Sequence, residues 1–181
     1  MSKTLNQSNS LEVTEINAHL VSKKRGKVNS DLAGMVKGVI GKFIYQDVCI
    51  RPDLNCQQCP FNHTCPYGSL FNPVADKIAP SLSYKMRNLP PPLVMETTML
   101  NHSFIKEKDR ITIQVKLFGY ASNHKDHIIH AIQSMNSVGI GSNRITFEGE
   151  IFTSKNKKSF VEPENKDFPS EIYVNFRTPL R

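Results

Sequence analysis

The chain has 181 residues and 39% apolar content, enough for one domain with a real core and too much for a wholly disordered chain. Twenty-three Lys and Arg stand against sixteen Asp and Glu, and the net charge of +7 points to a polyanion, nucleic acid first, as partner. No run approaches the roughly 18 apolar residues of a membrane span, and MSKTLNQSNS lacks a secretory apolar core, so no membrane partner and a cytoplasmic location are expected.

Residues 1–10 read as a disordered tail. Leu11 and Val13, then Ile16, Ala18 and Leu20, alternate as a strand whose phase slips between Val13 and Ile16, which predicts a bulge there. A polar stretch from Ser22 to Asn29 follows and holds Lys23, Lys24, Arg25 and Lys27. Ser30 and Asp31 suit a helix start, and Leu32, Met35, Val36, Val39, Ile40, Phe43 and Ile44 then recur at helical spacing. Gly34, Gly38 and Gly41 lower helix propensity, so their expected use is close packing against another backbone.

Beyond the cysteine segment, Pro73, Pro80, Pro90, Pro91 and Pro92 predict extended chain without a helix. Strands are expected from Leu93 to Met99 and from Ile111 to Leu117, paired through a polar turn at Lys106 to Asp109. A second helix should start near Asn123, bury Ile128, Ala131, Ile132 and Met135, and stop before Gly139. A fourth strand turns Ile145, Phe147 and Ile151 inward. This order gives an α+β, ferredoxin-like (RRM-like) βαββαβ domain over residues 11–153, the open sheet of which also underlies RNA-recognition modules. Residues 154–181 read as a charged loop with Lys155, Lys157 and Lys158, then an alternating strand in which Ile172, Val174 and Phe176 share a face. That strand is expected either to join the sheet or to open a further domain.

Cys49, Cys56, Cys59 and Cys65 fall in one segment, residues 49–65. In a reducing compartment clustered thiols stay available as thiolates, which favours metal ligation over disulfides. Their spacing lets four sulfurs converge on a tetrahedral ion, with zinc the best fit and an iron–sulfur cluster sharing the ligand set. Pro52, Pro60 and Pro66 stiffen the loop. A closed four-thiolate site leaves no position for substrate, so its expected role is stability.

Several segments together resemble one family: GVIGKFIYQDVC ending the first helix, CQQCPFNHTCPYGSLF with Tyr67 and Phe71, PPPLVMETTM, GIGSNRITFEGEIF and the final NFRTPLR. From about Leu32 onward the chain is similar to the RAMP-type CRISPR-associated endoribonucleases that process precursor crRNA. The resemblance implies two tandem ferredoxin-like domains, of which this chain looks like the N-terminal one. FRTPLR resembles the first strand of the second. The implied partners are a CRISPR repeat transcript and a C-terminal RAMP domain or other CRISPR proteins.

The resemblance also implies metal-independent cleavage, in which a ribose 2′-hydroxyl attacks the adjacent phosphate and a first-domain histidine takes its proton. His63 lies where relatives often keep that histidine, and His127 is a second candidate. The competing reading is that His63 decorates the knuckle and that His124, His127 and His130 form a solvated helix face. Lys23, Lys24, Arg25 and Lys27 are candidate phosphate contacts, giving affinity and salt dependence without sequence preference. Lys37 precedes Gly38 where relatives often show arginine and glycine, and is assigned the same role. GIGSNR reads as a phosphate cradle or a tight turn, with Arg144 available to RNA or to a carboxylate. Two further readings stand beside the endoribonuclease: a non-catalytic RNA-binding RAMP module of an effector or fusion protein, and a zinc-stabilised interaction domain.

Overall fold

The computed structural model describes residues 10–28, 31–75, 88–97 and 104–159. The tail before Ser10, Ser30, Pro80 and the alternating strand around Val174 lie outside the described residues. In chain order the elements are β1 (Ser10–Ser22), β2 (Gly26–Lys27), α1 (Leu32–Val48), α2 (Pro66–Phe71), β3 (Leu93–Thr97), β4 (Phe104–Ile105), β5 (Arg110–Phe118), α3 (Lys125–Val138) and β6 (Phe147–Ser159). A 3₁₀ turn over Gly119–His124 leads into α3.

The main sheet has the strand order β3-β5-β1-β6, with every neighbouring pair antiparallel. That order, with α1 and α3 as the crossovers, is compatible with a ferredoxin-like fold. Alternation along the strands turns Ile16, Ala18 and Leu20 of β1 and Ile111, Ile113, Val115 and Leu117 of β5 to one face. The apolar stripes of the helices cover it: Leu32, Val36, Ile40 and Ile44 from α1, and Ile128, Ala131, Ile132 and Met135 from α3. Each such Leu or Ile, fully buried, contributes roughly 1.5–3 kcal/mol of transfer free energy.

The bulge expected in the first strand is absent. Pairing runs without a break from Val13↔Phe118 to Val21↔Arg110 on one side of β1, and from Ser10↔Ser159 to Ser22↔Phe147 on the other. The phase slip has another cause: Val13 lies on the face opposite Ile16 yet is buried, while Thr14 takes the inward position. β6 also continues through Ser159, so Lys155, Lys157 and Lys158, read as loop, are strand residues opposite Thr14, Glu12 and Leu11.

Asp31 caps α1, its carboxylate accepting the Gly34 N–H at 2.9 Å. Gly34 and Gly41 both pack closely, on side chains rather than on a backbone: an added Cβ on Gly34 would run into the capping Asp31 carboxylate, and one on Gly41 would lie 3.3 Å from the Phe71 ring. Gly38 faces open space. α2, absent from the sequence reading, starts with Pro66 at its first turn, where the missing N–H costs nothing. α3 stops at Gly139, whose φ of 87° suits glycine and where a Cβ would approach the Arg144 carbonyl carbon to 2.5 Å.

The turn at Lys106 to Asp109 forms as expected, with the Asp109 N–H donating to the Lys106 carbonyl at 3.2 Å and the Lys106 N–H to Asp109 Oδ2 at 2.7 Å. It joins β5 to β4 rather than directly to β3. β4 leaves the main sheet and pairs with β2.

Candidate nucleic-acid interface and cysteine cavity

Antiparallel pairing puts the end of β1 beside the starts of β5 and β6, so three connections meet at one end of the sheet. The Lys27 N–H donates to Asn143 Oδ1 at 3.2 Å and the Lys23 N–H to the Thr146 carbonyl at 2.9 Å. Ser22 bonds the third loop: its N–H donates to the Asp109 carbonyl at 3.0 Å, and its hydroxyl donates to the Lys106 carbonyl. Lys23, Lys24, Arg25, Lys27 and Arg144 are thereby gathered. Lys106, Lys108 and Arg110 join them, although the sequence reading did not single them out. Their position in a turn was legible; their place beside Lys27 depends on the topology.

Lys23 pairs with Glu148 at 3.2 Å, both side chains exposed, which leaves the ammonium open to water and to other anions. Among the described residues Lys24, Arg25, Lys27, Lys106, Lys108 and Arg144 form no ion pair. GIGSNR closes as a tight turn, with Ile140 and Ile145 exchanging backbone bonds of 3.0 and 2.8 Å and Arg144 at a φ of 45°.

Lys37 lies elsewhere. It lines a groove of about 470 Å³ between α1 and α2, together with Gly38, Lys42, Tyr45, Tyr67 and Phe71. Tyr67 stacks on Phe71 with centroids 5.4 Å apart and planes 19° apart, and Tyr45 meets Tyr67 edge-on at 5.0 Å.

α1 runs from the basic end to the opposite end of the sheet, where Cys49 follows it in extended conformation. The segment beyond is a succession of tight turns, among them Cys59 N–H to the Cys56 carbonyl at 3.3 Å and Cys65 N–H to the Phe61 carbonyl at 2.8 Å. At its centre sits Asn62, 2% exposed, whose amide donates to the Cys56 and Asn72 carbonyls, both at 2.9 Å. No sequence pattern marked Asn62; the carbonyls it joins are distant from each other along the chain.

All four cysteines are free and line one cavity of about 200 Å³. Burial pushes the Cys56 thiol up, and the neighbouring thiols of Cys49, Cys65 and Cys59 push it further. A hydrogen bond with Cys49, then burial, raises Tyr45 as well. The sequence reading expected the four thiols to converge on one ion; here they share the lining of one cavity. Among the described residues, however, no group of three or more His, Cys, Asp and Glu side chains is arranged to hold a metal ion. The donor chemistry fits zinc, and the cavity would have to tighten around the ion.

His63 is exposed on the cysteine loop and does not line the cavity. His127 is exposed on α3, its ring 6.2 Å from that of His124, and burial followed by the nearby His127 lowers the His124 pKa. His130 Nδ1 lies 3.2 Å from Asp47 Oδ2, linking α3 to α1. The structure therefore sets the candidate histidines on the cysteine loop and the first turns of α3, at the end of the sheet away from the basic loops.

A family model described as AF_1859_N, N-terminal domain, matches residues 11–172. Among solved structures, a chain in the crystal structure of the Csm3-Csm4 subcomplex in the type III-A CRISPR-Cas interference complex has a similar fold. The TM-score is 0.53 at 12% identity, over 83% of this chain and 90% of that one. No curated protein matches the chain. Among the described residues no helix is long and apolar enough to cross a membrane.

Proposed function

We propose that this chain, which belongs to the AF_1859_N family of N-terminal domains, is an RNA-binding module of a CRISPR ribonucleoprotein. The observation that carries this reading is the convergence of three basic loops, tied by the bond from Lys27 to Asn143. Cations from distant segments thereby form one patch that meets successive phosphates and releases counterions. The likeness to a chain of a type III-A CRISPR-Cas complex supports the CRISPR setting.

The fuller reading is the N-terminal domain of a precursor-crRNA-processing endoribonuclease that works without metal, by 2′-hydroxyl attack. His63 and His127 are its candidate bases, and both are exposed enough for RNA to reach them. The second reading, a non-catalytic RAMP module, draws on one observation: neither His63 nor His127 has a carboxylate partner among the described residues to orient its ring.

The four cysteines are assigned one structural zinc ion, supported by the cavity they share and by their donor chemistry. Zinc bound there would cross-link the loop and take no part in cleavage.

The test is incubation with a CRISPR repeat transcript in chelator, following binding against salt and the appearance of a 2′,3′-cyclic phosphate end. Salt-sensitive binding, weakened by Lys24→Glu with Arg25→Glu, is the expected result. A cyclic product lost in His63→Ala or His127→Ala establishes the nuclease. Binding without product establishes the second reading, and absence of salt-sensitive binding overturns both.

A further inference from the structure

We infer that the groove between α1 and α2 binds an unpaired RNA nucleotide, with its base against the Tyr67 and Phe71 wall and the flanking phosphates on Lys37 and Lys42. This rests on the RNA-binding reading above and adds a site separate from the basic loops.

The groove is large enough: its 470 Å³ falls in the roughly 300–1,000 Å³ span of sites for small organic molecules. Its floor is bare. A Cβ built on Gly38 would find no atom within 4 Å, so a flat ring can approach the α1 backbone there. Its wall is aromatic, with Tyr67 and Phe71 stacked and partly exposed. Stacking on such rings recognises any base through its π face.

The charge selects the occupant. Lys37 and Lys42 both line the groove, and among the described residues neither forms an ion pair and no carboxylate lines it. Two unneutralised ammoniums beside aromatic rings suit a phosphate-linked base. A paired stem hides its base faces, so the occupant is unpaired.

The same geometry gives the cysteine loop a part in binding. Tyr67 lines both the groove and the cysteine cavity, and its ring meets edge-on, at 5.0 Å, that of Tyr45, which also lines the groove. One ring of the groove is thus shared with the cysteine cavity and contacts a second.

Gly38→Glu tests the site in the whole 181-residue chain. Its side chain enters open space, and replacing glycine inside a helix favours the helix, so folding is retained. The probe is a labelled unpaired oligouridylate of about ten nucleotides, followed by anisotropy. The expected result is an affinity loss of about tenfold, the scale of one stacked base, with an unchanged or raised Tm. Gln133→Glu, the same charge change on the exposed side of α3, is expected to cost less than about twofold.

Phe71→Trp gives a readout of contact, because the chain has no tryptophan: its emission should be quenched by the oligonucleotide. Unchanged affinity in Gly38→Glu, or an unquenched tryptophan with RNA bound, overturns the groove. If Lys24→Glu still weakens binding in that case, the basic-loop reading survives. If the unsubstituted chain binds no RNA in a salt-sensitive way, both fall together.

Discussion

Asn143 Oδ1 accepts the backbone N–H of Lys27 at 3.2 Å, joining residues 116 positions apart in the sequence. The bond fixes the loop after β1 against the turn before β6, and so fixes where Lys24, Arg25 and Arg144 stand relative to one another.

Asn143→Ala is expected to cost about 0.5–1.5 kcal/mol by urea denaturation, the net worth of one exposed hydrogen bond. RNA affinity should fall while every cation remains present. Lys24→Glu with Arg25→Glu should instead leave stability within about 0.5 kcal/mol and flatten the plot of log affinity against log salt by roughly 1.5 units. Equal salt slopes in the double variant and the parent would remove these residues from the interface.

Asn62 is the polar keystone of the cysteine segment, and Asn62→Ala leaves the Cys56 and Asn72 carbonyls without their donor. The expected destabilisation is about 1–3 kcal/mol, measured by chemical denaturation. Gly68 packs against the same residue, where a Cβ would approach the Asn62 carbonyl oxygen to 2.6 Å. Gly68→Ala should therefore destabilise as well, and a neutral result would show that the loop tolerates movement there.

On the zinc reading, metal analysis of the purified chain should return one zinc per chain. Cys56→Ser or Cys59→Ser should lose it together with a large part of the thermal stability, because binding free energy is folding free energy at such sites. Chelation should have the same effect on Tm. Loss of zinc with unchanged melting would contradict the structural role.

His124 sets a pH dependence whose sign is fixed. Burial and the neighbouring His127 lower its folded pKa below 6.5, so between that lowered value and 6.5 the unfolded chain binds more protons than the folded one. Stability contributed there is present above about pH 6.5 and is lost as the pH falls through the folded pKa. His124→Gln should flatten the dependence, read from urea midpoints at about pH 5 and pH 7. A steeper fall in the variant would reverse the assignment.

The helices and inner strands were legible because burial imposes a period. Leu32, Val36, Ile40 and Ile44 recur on one stripe of α1, and Ile128, Ala131, Ile132 and Met135 on one stripe of α3, as their spacing predicts. The strand order followed from those elements. Where local pattern and burial part company, the reading failed: Val13 is buried on the face opposite the main core, so an unbroken strand looked bulged. α2 is six residues long, too short to show a period.

The sequence alone determined which residues carry charge and sulfur, and the cluster of four cysteines was visible as spacing. Only the tertiary structure decided which of them share a place. It brought Lys27 to Asn143, sent Lys37 to a groove of its own, set Tyr67 between that groove and the cysteines, and placed the histidines at the far end from the basic loops. The physical reason is that hydrogen-bonded strands and packed helices fix positions across the chain, whereas composition and spacing speak only of near neighbours along it.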